Sequence, residues 1–122
     1  MVKFVMCIRR QPHLSREEFQ DYWLNSHGPL VRSLAPALNM RRYVQLHTAD
    51  SPINGVVQKT RGSPEPYDGI AEIWYDSMEA FENSFSSDEA RAAGKKLRAD
   101  EPNFIDLANS PGWISEEKVL IP

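Results

Sequence analysis

Hydrophobic residues in this chain change period along its length, and the order of those changes limits the folds open to it. Val2-Lys3-Phe4-Val5-Met6-Cys7-Ile8 is a short run rich in β-branched and aromatic residues, halted by Gln11-Pro12, so residues 2–9 are predicted to form a strand. Ser15-Arg16-Glu17-Glu18 then matches a capping box, in which the serine oxygen and the Glu18 carboxylate satisfy orphan amides at a helix start. Phe19, Tyr22, Trp23, Leu30, Val31 and Leu34 follow at helical spacing, putting one apolar stripe on the core side. Gly28-Pro29 interrupts that stripe. Proline cannot donate the interior hydrogen bond, which predicts a kink, or a restart with Pro29 in the new first turn.

Residues 40–48 read as a second strand, with Arg41, Tyr43, Gln45 and His47 on one face and Arg42, Val44 and Leu46 on the other. Residues 49–67 hold Ser51-Pro52, Asn54-Gly55, Gly62 and Ser63-Pro64-Glu65-Pro66, a density of turn signals that predicts a long loop or flap. Residues 68–76 are apolar on both faces, as a strand covered on both sides should be. Ser77 and Ser87 cap two further helices. The second has acids in its first turn, basic residues towards its end, and Pro102 as its limit. Phe104-Ile105-Asp106-Leu107-Ala108 reads as a short helix or turn, and residues 113–121 supply a last strand.

The order β-α-β-β-α-β is the α+β, ferredoxin-like arrangement: a four-stranded antiparallel sheet with helices on one side. Its other face is left uncovered. Val5 and Cys7, with Ala71, Ile73 and Tyr75, are expected to supply an apolar patch there, larger than a monomer tolerates. Two sheets packed face to face would bury it, predicting a symmetric homodimer.

Composition narrows the function classes. A chain of 122 residues suits a single domain, 1–122, able to fold without disulfides or a structural metal. The net charge of −3, with both signs interspersed, gives no clustered basic face for nucleic acid. No run reaches the ~18 apolar residues of a membrane span. The lone Cys7, the lack of an N-x-[ST] sequon and the lack of a signal-peptide cleavage pattern lead to an expected cytoplasmic location.

The ordered series Lys3-Phe4-Val5, Leu14 to Phe19, Tyr22-Trp23, His27-Gly28-Pro29-Leu30-Val31 and Tyr43 to His47 resembles the EthD domain of the dimeric α+β barrel superfamily. Tyr67 to Trp74 and Phe104 to Ala108 extend that resemblance over almost the whole chain. It implies the barrel-forming dimer. It also implies a likeness to methylmuconolactone isomerases, which act on lactones without metal or organic cofactor. In those enzymes a histidine on the first helix and a tyrosine on the next strand border the pocket, and His27 and Tyr43 match them. His47 is a second candidate histidine. The isomerases also use a cysteine in the later half of the chain, where this sequence has none.

Read for chemistry, His27 sits beside the Gly-Pro break, and an imidazole titrating near pH ~6.5 can take or give a proton at neutrality. The plainer reading has it bonding a helix-end carbonyl. Tyr43 and His47 share a strand face with Gln45, a row able to hold an oxygen where negative charge develops, or simply an exposed polar face. Glu72 is either a buried carboxylate of the site or the structural partner of Arg9, Arg41 or Arg42. Tyr22, Trp23, Trp74 and Phe81 form either an aromatic wall for a flat substrate or ordinary core. His13, after Pro12, reads as solvated.

No metal-ligand spacing and no phosphate loop occur, so neither a metal nor another cofactor is expected. The resulting expectation is a cofactor-independent lyase or isomerase on a small carbonyl, lactone or aromatic catabolite. His27, Tyr43 and His47 are catalytic in this reading, and Tyr22, Trp23, Gln45, Glu72, Trp74 and Phe81 line the site. A cofactorless oxygenase of phenols and a non-enzymatic binding or accessory protein are the alternatives.

Overall fold

The computed structural model describes all 122 residues. The chain runs through β1 (Val2–Ile8), α1 (Arg16–Tyr22), a π-helical turn (Trp23–His27), α2 (Gly28–Leu34), β2 (Arg42–His47), α3 (Ile53–Arg61), β3 (Gly69–Tyr75), α4 (Met78–Asn83), α5 (Asp88–Asp100) and β4 (Gly112–Glu116). The sheet order is β2-β3-β1-β4 with every pairing antiparallel, which is the expected ferredoxin-like topology. The last strand ends at Glu116, short of the expected 121.

Both halves of the capping box form. The Ser15 side chain accepts from the Glu18 amide at 3.0 Å, and the Ser15 amide donates to Glu18 Oε1 at 2.9 Å. Ser77 and Ser87 cap α4 and α5 through the serine hydroxyl alone, accepting from the Ala80 and Ala90 amides. At Gly28-Pro29 the chain restarts as α2 with Pro29 in its first turn, one of the two outcomes expected, and the turn before it does not break. It widens: the Gly28 amide reaches back to the Trp23 carbonyl, five residues away, and the wider turn lets the chain run on into α2 past a proline that has no amide to give.

The segment expected to be a 49–67 loop contains α3. Its boundaries follow the turn signals, since Ser51-Pro52 precede it and Gly62 closes it at φ 62°, a conformation suited to glycine. Asn54-Gly55, however, lies inside the helix. None of its residues is buried, so local bonding rather than core contact defines it.

Register settles which side chains share a face. Val2, Phe4 and Met6 stand opposite Tyr75, Ile73 and Ala71, and Tyr43 and Gln45 stand opposite Ile73 and Ala71. That face meets the helices: Ile8, Ala71 and partly buried Met6 and Tyr43 pack with Phe19, Trp23, Phe104 and Ile105 in one apolar cluster. Phe19 and Phe104 have no exposed surface, and each such side chain contributes about 1.5–3 kcal/mol. Ala71, Ile73 and Tyr75 therefore do not belong to the uncovered face, contrary to expectation. The uncovered face carries Val5, Cys7, Ile70, Val44 and Leu46 together with Lys3, Glu72, Trp74, Arg42 and Trp113. Buried Asp68 pins the start of β3 to the end of β1 and to α1, accepting from the Arg10 amide and guanidinium at 2.8 and 2.7 Å and from Arg16 Nε at 3.2 Å. These bonds outweigh its burial and hold its carboxyl below the usual range.

Candidate active site

Phe19, Trp23 and His27 fall four residues apart on the face that α1 and the π turn present to the sheet. In an α-helix each such step drifts by ~40° around the axis. The wider turn at Trp23–His27 offsets the drift, so His27 still points inward, only 7 % exposed. Trp23 fits against Gly69 so closely that a Cβ there would stand 2.4 Å from the indole. Only glycine leaves room for it.

Between this helix, the sheet, α4 and α5 lies a cavity of about 370 Å³, predominantly apolar, bordered by His27, Tyr43, Tyr75, Phe81, Arg98 and Glu101 among others. His27 Nδ1 lies 2.8 Å from Asp100 Oδ2 at the end of α5. The other Asp100 oxygen accepts from the Tyr22 hydroxyl at 2.5 Å, and Asn103 adds a bond at 3.1 Å. Although burial works the other way, the bonds from Tyr22, His27 and Asn103 hold the Asp100 carboxyl below its usual range. It is therefore an ionised acceptor, and Nδ1 of His27 must donate. Burial in turn lowers the His27 imidazole, with Asp100 opposing. At neutral pH the pair is a neutral imidazole oriented by a carboxylate, with Nε2 left as the basic nitrogen of a ring on the cavity wall.

The row on β2 is fixed with equal economy. Gln45 Nε2 donates to the Trp23 carbonyl at 2.9 Å and to the Tyr43 hydroxyl oxygen at 2.8 Å. A carbonyl can only accept, so the amide orientation is determined, and Gln45 Oε1 must accept from His47 Nε2 at 2.7 Å. The Tyr43 hydroxyl thus accepts from Gln45, and the Tyr43 side chain borders both the cavity and an open groove along β2. Burial raises the Tyr43 phenol and pushes that of Tyr75 up to about 12, so both stay protonated. Tyr75 has no hydrogen-bond partner in the chain, and its side chain borders the cavity.

Of the residues expected to form the site, His27, Tyr43, Trp23 and Phe81 border this cavity. Tyr22 acts behind it, through Asp100. His47 stacks on Trp23 with centroids 4.7 Å apart, and with Gln45 it faces a separate open groove along β2. Glu72 and Trp74 lie on the opposite side of the sheet. Glu72 is paired with Lys3 at 2.7 Å, not with an arginine, and Trp74 lies under both Lys3 and Arg42 with its indole N–H on Glu117. His13 is exposed, as expected. Sequence reasoning missed Asp100, Glu101, Tyr75 and Arg98. A signal for the first two was present: two acids at the C-terminal end of a helix oppose its macrodipole and need some other partner. No three His, Cys, Asp or Glu side chains converge to hold a metal ion.

Fold and site define a small α+β protein whose sheet, helix and cavity carry a histidine–aspartate pair. A family model, the EthD domain, matches residues 11–108, and the chain belongs to that family. Among solved structures it is similar to an ethyl tert-butyl ether D (EthD) family protein of Bacillus halodurans C-125, at 24% identity over 97% of this chain and 99% of that one, TM-score 0.59. A dimeric protein of unknown function and ferredoxin-like fold from Bacteroides fragilis matches at 14% identity over 95% of each chain, TM-score 0.58. SnoaB, a cofactor-independent oxygenase from Streptomyces nogalater, matches at 14% identity over 99% of this chain and 96% of that one, TM-score 0.56. At these identities the likeness is one of fold. No curated protein matches the chain.

Proposed function

We propose that the protein is a cofactor-independent proton-transfer enzyme, of isomerase or lyase type, acting on a small carbonyl-bearing compound. One observation carries this reading: Asp100 engages His27 Nδ1 and leaves Nε2 free on the wall of an apolar cavity. The free nitrogen removes a proton from carbon next to the carbonyl, and the hydroxyls of Tyr43 and Tyr75 donate to the oxygen as it gains charge. Returning the proton at another carbon gives an isomerase. Expulsion of a leaving group gives a lyase. The decisive experiment incubates lactones and cyclic enones in D2O and follows carbon-bound deuterium by NMR. Deuterium should enter with wild-type protein and not with His27→Ala. Equal incorporation by both would end this reading.

SnoaB supports a second reading. The same nitrogen could deprotonate a phenol, giving an electron-rich anion that reacts with dioxygen directly. Oxygen uptake with a hydroquinone, dependent on His27, would select it. Ligand binding with no His27-dependent reaction of either kind would point to a binding or accessory role.

We also propose that two copies pair through the uncovered sheet faces. Half-exposed Leu46 and Trp113 beside Val5, Val44 and Ile70 support this, as does the dimeric relative. Sedimentation should give the mass of two chains, and Leu46→Glu with Trp113→Glu should give one.

A further inference from the structure

Arg98 is the sole lysine or arginine on the cavity wall. It makes no salt bridge, although acids and bases elsewhere in the chain pair freely. Its guanidinium lies over Gly94, which also borders the cavity: a Cβ on Gly94 would stand 3.1 Å from Nη1. The missing side chain gives the guanidinium a seat at the rim. Further in, the wall is Phe4, Ile73, Tyr75 and Phe81, an apolar slot whose size falls within the range of small-ligand sites.

We infer that the cavity takes a small, flat organic carboxylate, its charged end held by the Arg98 guanidinium at the rim and its ring or conjugated body among the aromatic side chains. The inference rests on the reading of this cavity as the substrate site and adds the substrate's chemical class. A guanidinium presents paired N–H groups that match the two oxygens of a carboxylate. Held in that way, the rest of the molecule extends inward towards His27. Glu101, one turn beyond Arg98, borders the same space without a side-chain partner. Burial pushes its carboxyl up, against the pull of Arg98, and an anion beside it favours the neutral form further.

The test needs no knowledge of the natural substrate. Cinnamate and cinnamyl alcohol share a shape and differ in charge, and each is titrated calorimetrically into wild-type protein, Arg98→Met and Glu101→Gln. Wild-type protein should bind cinnamate about tenfold or more tightly than the alcohol, the scale of a charge-assisted hydrogen bond. Arg98→Met should abolish that preference while leaving alcohol binding unchanged, and its circular dichroism should match wild type because Arg98 is exposed. Glu101→Gln should keep the preference. Equal wild-type affinity for the two probes, or cinnamate binding untouched by Arg98→Met, would overturn the inference. Turnover by His27→Ala is a separate measurement, so a chemically idle His27 and an indifferent Arg98 give different results.

Discussion

The two faces of the sheet treat polar side chains in opposite ways. On the uncovered face Glu72 holds Lys3, and Trp74 lies under Lys3 and Arg42 while donating to Glu117. Lys3, Glu72 and the Trp74 indole N–H there each have a protein partner. On the covered face His27 Nε2, the Tyr75 hydroxyl and the Glu101 carboxyl border an apolar cavity with none. The same strand serves both, since alternation along β3 sends Glu72 and Trp74 one way and Ala71, Ile73 and Tyr75 the other. A partnered polar group stabilises a fold; an unpartnered one on the wall of an apolar cavity is available to a ligand.

The sharpest way to break this contrast is to remove its most committed group. His27→Ala should lower turnover by ~10²–10⁴-fold, the usual contribution of a general base, with circular dichroism unchanged. Asp100→Asn should cost less and leave a signature in the pH profile. Asp100 supports the protonated imidazole, so its loss should move the apparent pKa of kcat/KM further down. An unmoved profile would show that the carboxylate does not orient the ring.

Stability offers the next test. Gly69→Ala would press a methyl group into the Trp23 indole and should cost about 1–3 kcal/mol by urea denaturation. Burial lowers both His27 and His47, so the unfolded chain binds protons that the folded chain refuses. Stability should therefore be full at neutral pH and decline as pH falls through ~6.5, and His27→Ala should flatten part of that decline. The smallest effect belongs to the other face. Glu72→Gln keeps an acceptor for Lys3, so it should change stability by about 1 kcal/mol or less and turnover not at all. A fall in turnover would bring Glu72 back into the site.

Much of the fold was legible because local chemistry and tertiary packing agree. The capping box at Ser15, the caps at Ser77 and Ser87 and the apolar runs of β1 and β3 all appear where their residues imply. The helix Ile53–Arg61 was not, because it buries nothing and Asn54-Gly55 reads as a turn when no packing overrides it. In the site, His27 and Tyr43 entered through the family resemblance, and the structure puts both on the cavity wall. Asp100 was not legible: its bond to His27 spans 73 residues, and no period links two helices that meet only in three dimensions. Glu72 and Trp74 were misplaced because two-sided apolarity in β3 hides which face is inward.

The wide turn at Trp23–His27 also has a hereditary side. One surplus residue is accommodated there, and a deletion of any single position between Leu24 and Ser26 would let an ordinary helix close. Such a shortened chain would gain regular backbone bonding and keep the phase of everything beyond it, because the wide turn had already absorbed the extra residue. Tightening the turn with every residue kept would do the opposite, rotating His27 and all that follows it away from Asp100.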